Sequence, residues 1–129
     1  LWEKTFWVGI GGFLGSNARY WLGGWLAGRL GSFFPYHTLI INVTGSFMLG
    51  LFMTLSLSLP WHQRWRWGVA IGFLGGYTTF STYEYESLNL LTQGQRLYAG
   101  ANLLGSLLLG LVGVWLGVVA GRILTGGLP

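Results

Sequence analysis

The sequence has no cysteine, which rules out a disulfide framework, a thiolate metal site and a cysteine nucleophile. It is also poor in charge. Seven basic and three acidic side chains serve 129 residues, 8% of the chain, against roughly 25% in ordinary soluble domains. Ten charges cannot clothe a protein of this size in polar groups, so lipid is the solvent expected for most of its surface. The basic excess gives a formal charge of +4. It is scattered along the chain without a cluster, so no footprint for nucleic acid exists. No P-loop, nucleophile elbow or zinc signature occurs. Neither Glu84 nor Glu86 sits beside a histidine or an obvious second acid, and His37 and His62 read as loop residues far apart. No catalytic pair and no metal pair is expected, and the chain does not read as an enzyme. No signal peptide, internal repeat or low-complexity linker is apparent.

What the chain does have is apolar bulk. Hydrophobic residues make up 52%, with 23 glycines and 17% aromatics. A membrane span needs about 20 mostly apolar residues, and four stretches qualify: 6–30, 38–59, 67–91 and 97–124. The connections between them are short, which makes neighbouring helices antiparallel. The expected fold is an all-α membrane protein with four transmembrane helices in a single domain, 1–129. Tryptophan and tyrosine at 2, 7, 36, 61, 65, 67 and 98 mark headgroup depth. Glycines four apart (11 and 15, 24 and 28, 72 and 76, then 113, 117 and 121) offer flat strips for close helix packing. Lys4, Arg64, Arg66 and Arg122 fall on the terminal side and Arg29 and Arg96 on the other. So weak a positive-inside bias permits insertion in either direction.

Polar groups inside a span are expensive and require a reason. Arg19 lies well inside the first span, as an anion attractor or as a structural arginine bonded to helix-end carbonyls. Thr38, Asn42 and Ser46 recur every four residues and share one face of the second span. Asn42 carries an NH₂ group that can donate to an anion or clamp two helices. The run Gly72–Tyr83 (GFLGGYTTFSTY) is a poor continuous helix, because paired glycines precede residues that compete for backbone hydrogen bonds. It predicts a third helix broken near the middle of the bilayer, tolerable only where buried or lining a cavity. Asn102 and Ser106 share a face of the last span, one turn after Tyr98. A proton-coupled drug exporter of this size needs an acid within the first span, whereas the acid there, Glu3, precedes the hydrophobic run.

The stretches GGFLGSNARY, HTLIINVTGSFMLG and above all GFLGGYTTFSTYEYES resemble the Fluc (CrcB) family of bacterial fluoride channels. The resemblance covers three spans by motif and the fourth by length and polarity. It implies an antiparallel, dual-topology homodimer in the bacterial cell membrane, with two fluoride pores. It also implies a structural sodium ion at the dimer centre, held by the main-chain carbonyls of Gly75 and Thr78. Asn42 would be the pore asparagine, and Phe80 and Tyr83 the paired aromatics. Ser106 would belong to a hydroxyl track on the last helix, with Asn102 beside it, and Arg19 would face a vestibule. With the donors read from spacing, the expected fluoride path comprises Asn42, Phe80, Tyr83, Thr38, Ser81, Thr82, Asn102 and Ser106. No titratable group is expected in that path. Position 83 carries Tyr where the family pattern has Phe, which keeps an aromatic edge and adds a hydroxyl.

Overall fold

The computed structural model describes residues 1–127; the last two residues of the expected 1–129 domain lie outside the described residues. It is helical throughout, with no strand among those residues. Helix α1 spans Trp2–Leu30 and α2 spans Tyr36–Ser58. A third helix, α3 (63–77), begins as one α-turn at Gln63–Trp65, widens into a π-helix over Arg66–Leu74 and returns to α geometry at Gly75–Tyr77. After two extended residues, α4 spans Phe80–Thr92 and α5 spans Arg96–Leu124. Nothing in the local composition foretells the π-helix, whose i→i+5 bonds widen the backbone cylinder.

The helices associate as two tight pairs, α1 with α3 and α2 with α5. Glycine explains both. A methyl group on Gly11 would overlap the Gly68 carbonyl, and one on Gly15 the Phe73 carbonyl. From the other side, a methyl on Gly72 or Gly76 would run into the α1 backbone at Val8 and Gly12. In the second pair, Gly117 lies on the Phe47 carbonyl, Gly121 on Thr54 and Gly50 on the Val114 carbonyl. Such backbone-to-backbone approach is how helices gain dispersion contact where no hydrophobic force separates side chain from lipid. Gly24 and Gly28, at the same spacing, have nothing within 4 Å, so that strip is unused within the chain.

By length and composition, α2 and α5 are helices able to cross a membrane. Helix α1 is as long as α5 but carries Glu3, Lys4, Asn17, Arg19 and Arg29. The outer surface is apolar, with Phe13, Trp21, Leu104, Leu108, Leu111 and Trp115 all exposed. Aromatic clusters sit at both ends. Phe33 meets Tyr98 edge-on at 5.2 Å at one end, and Phe52 lies 5.5 Å from Trp61 at the other. Gly31 and Gly94 close the ends of α1 and α4 at φ +80° and +76°, the left-handed region that glycine enters without a steric cost.

Candidate functional site

The site is built on the two residues between α3 and α4. Thr78 (φ −82°, ψ 158°) and Thr79 (φ −147°, ψ 120°) are extended, so the i→i−4 ladder ends with the bond from the Thr78 N–H to the Leu74 carbonyl at 3.1 Å. In an unbroken helix the Thr79 N–H would bond to the Gly75 carbonyl. Here it donates to Asn42 Oδ1 at 2.8 Å, and Asn42 Nδ2 donates back to the Thr79 carbonyl at 2.9 Å. One side-chain amide thus satisfies both polar groups of an extended residue, as a neighbouring strand would. Gly45, three residues further along α2, leaves room for Thr78 and Tyr77 to lie against that helix. The Thr79 hydroxyl caps α4 by accepting from the Thr82 N–H at 3.3 Å, the usual task of a threonine at a helix start. Arg19 donates through Nε to the Gly76 carbonyl at 3.1 Å. A cation at the C-terminal end of α3 also complements its dipole.

Beside this segment lies a cavity of about 540 Å³, lined by Asn42, Ser46, Phe80, Tyr83 and Ser106 together with Gly75, Thr78 and Thr79. Phe80 is 71% exposed, and its ring centroid is 5.8 Å from that of Tyr83 at a tilt of 49°. The Tyr83 hydroxyl donates to the Leu103 carbonyl at 2.7 Å, so it is directed at α5 and not at the cavity. If the chain conducts ions as the resemblance implies, a Tyr83→Phe protein is therefore expected to keep that flux within about twofold. It loses one interhelical hydrogen bond of roughly 0.6 kcal/mol. Flux through reconstituted protein checks this, and a large loss would make the hydroxyl a participant.

The other expected pore residues do not line this cavity. Thr38 is 3% exposed and donates to Glu86 Oε1 at 2.6 Å. Asn102 is 1% exposed and donates to Ser87 Oγ at 2.8 Å. Ser87 in turn donates to the Tyr83 carbonyl, and Ser106 donates to Asn102 Oδ1 at 3.3 Å. Asn102 thus ties the cavity-lining Ser106 to α4 from behind. Thr82 pairs with Thr79, and Ser81 is exposed.

One expectation is corrected. His37 is not in a loop but in the first turn of α2, and its Nε2 lies 3.2 Å from Glu86 Oε2. The acid and histidine read as isolated are a pair, and Thr38, expected in the path, holds that acid. Sequence reasoning missed the pair because its members are 49 positions apart. The signal available was energetic: a glutamate well inside a span demands a partner.

Gly75 and Thr78 both border the cavity. The amide that would cover the Gly75 carbonyl goes to Asn42, and among the described residues no side chain donates to either carbonyl. Main-chain oxygens released where a helix unwinds suit a sodium ion, so the donor set fits one. Among the described residues no cluster of three or more acids and histidines offers an alternative cation site.

Residues 6–118 match the family described as CrcB-like protein, Camphor Resistance (CrcB). The chain belongs to this family. Among CrcB-family relatives, the fluoride-specific ion channel FluC of Acidobacterium capsulatum is 48% identical, covering 92% of this chain and 96% of the relative. Proteins of the same name from Geotalea daltonii and Rhodospirillum rubrum are 46% and 43% identical. These alignments cover 93% of this chain in both cases, and 98% and 95% of the respective relatives. The CrcB family is one of ion channels and not of enzymes, and its long apolar helices are those of a membrane protein.

Proposed function

We propose that this chain is a passive, selective fluoride channel that exports cytoplasmic fluoride across a bacterial inner (plasma) membrane. The observation that carries the reading is the convergence of Asn42, Phe80, Tyr83 and Ser106 on one cavity beside an extended Thr78–Thr79 segment. It does so in a chain nearly half identical to a protein named for fluoride conduction. The active unit is an antiparallel homodimer with two pores, each chain crossing the bilayer four times and the extended segment standing near mid-membrane. Phe80, largely uncovered in one chain, is positioned to meet a second copy. In the dimer, Gly75 and Thr78 of each copy would hold a central sodium ion through their carbonyls, a structural charge fixing the two segments together.

Fluoride is small and strongly hydrated, so a pore must replace its water with donors. Asn42 has one N–H on Thr79 and a second N–H left for an anion. The ring edges of Phe80 and Tyr83 carry the positive side of the aromatic quadrupole, which suits an anion and disfavours a cation. The first turn of α4 adds free N–H groups and the positive end of a helix dipole. Ser106 gives its proton to Asn102 in this geometry and donates to a passing ion after rotation of its hydroxyl. Several weak sites in series allow both entry and exit.

The deciding experiment is fluoride efflux from liposomes holding the purified protein, read with a fluoride electrode under a potassium-driven membrane potential. Rapid fluoride loss with negligible chloride loss is expected, and equal chloride flux would end the selectivity claim. In the same assay Phe80→Ile should cut fluoride flux at least tenfold. Loss of an aromatic contact of about 1.4 kcal/mol at the barrier is enough for that factor. An unchanged rate would reduce Phe80 to packing.

A further inference from the structure

A second cavity, of about 630 Å³, opens between α1 and α3 on the side of the chain termini, away from the extended segment. Its volume is in the range of about 300–1,000 Å³ typical of small-molecule sites. Trp7, Ile10 and Leu14 form one wall, on successive turns of α1, and Val69 and Phe73 form the other on α3. Gly11 and Gly68, which also line it, form its floor where the α1 and α3 backbones meet, and neither adds a side chain there. Ile10, Leu14 and Trp65 are all exposed, so the groove faces outward. The chemistry changes at one end, where His62 and Arg64 complete the lining. Arg64 binds Glu3 Oε1 through Nε at 2.6 Å and its side chain is half exposed, which leaves the two terminal nitrogens of the fork available.

We propose that this groove binds one anionic phospholipid, its acyl chain along Trp7, Ile10, Leu14 and Phe73 and its phosphate at Arg64 and His62. Apolar and charged linings follow one another in the order that a lipid tail and headgroup do along a membrane normal. An apolar trough about 10 Å long, the rise of α1 from Trp7 to Leu14, ends in a guanidinium at the depth where tryptophans gather. Basic pockets between membrane helices select anionic headgroups in this way. Lys4, stacked 5.3 Å over Trp67, and Arg66 add positive charge at the same end, where Glu3 is already occupied by Arg64. A free phosphate would use the mouth but leave the trough empty, and a zwitterionic lipid would fill the trough without rewarding the arginine. The site is independent of which ion the chain conducts.

The test is native mass spectrometry of the full chain after incubation with equal phosphatidylglycerol and phosphatidylcholine, with and without excess inorganic phosphate. Wild-type protein is expected to retain phosphatidylglycerol over phosphatidylcholine by roughly fivefold, the weight of one basic side chain near a membrane surface. Phosphate should not displace it. Arg64→Gln should bring the ratio to about one while leaving lipid bound. Gly68→Leu should remove both lipids, and its β-carbon meets nothing closer than 3.7 Å. Should that larger side chain prevent folding, Arg64→Gln alone decides. Equal retention of the two lipids by wild type overturns the proposal. So does displacement by phosphate, or a preference that survives Arg64→Gln.

Discussion

The Asn42→Asp protein is expected to pass no measurable fluoride. Two effects act together. A carboxylate at 4 Å from a passing anion raises its energy by about 4 kcal/mol at an effective dielectric constant of 20, which is roughly a thousandfold in rate. The substitution also turns a donor into an acceptor against the Thr79 carbonyl, which Asn42 Nδ2 holds at 2.9 Å. Asn42→Ala, which adds no charge, isolates the loss of the clamp. It leaves the Thr79 N–H and C=O both unpartnered, at about 1–3 kcal/mol each. That variant should lose folded, monodisperse protein before flux can be measured. Liposome efflux and size-exclusion profiles of the two variants, side by side, check the argument. A well-folded Asn42→Asp protein with wild-type efflux removes Asn42 from the ion path and leaves it as a clamp alone.

That clamp shows where sequence reasoning reaches its limit. The spacing of Thr38, Asn42 and Ser46 put them on one helix face, because helical periodicity is a local property. It could not say what they face. Thr38 bonds to Glu86, Asn42 grips Thr79, and Ser46 turns back to the Asn42 carbonyl at 2.8 Å. These are three different roles from three equivalent positions. Apolar runs located α1, α2 and α5 to within a few residues, since solvation by lipid acts on composition. The π-helical course of α3 was invisible, because nothing in the local composition of 66–74 marks it. Arg19 had two readings from sequence alone. Its contact with the Gly76 carbonyl supports the structural one, and no local feature of either segment could have paired residues 57 apart.

The same limit applies to the glycine strips, and it yields the second large effect. Gly15→Ala is expected to abolish folding, whereas Gly24→Ala, in the other GxxxG pair of α1, is expected to be silent. The added methyl at Gly15 would overlap the carbonyl oxygen and carbonyl carbon of Phe73. Both are backbone atoms, so no rotamer change relieves the clash and α1 must separate from α3. Overpacking in a rigid site costs about 1–3 kcal/mol even where side chains can move, and here the cost is at or above that upper figure. Separation would also pull Arg19 from Gly76 and unsettle the end of α3, on which the cavity is built. At Gly24 the same methyl meets nothing within 4 Å, and alanine favours the helix over glycine by up to about 1 kcal/mol. Thermal denaturation in detergent, followed by recovery of monodisperse protein, reads both variants. A stable Gly15→Ala protein would contradict the close α1–α3 packing. A failing Gly24→Ala protein would instead place that empty strip against a second copy of the chain.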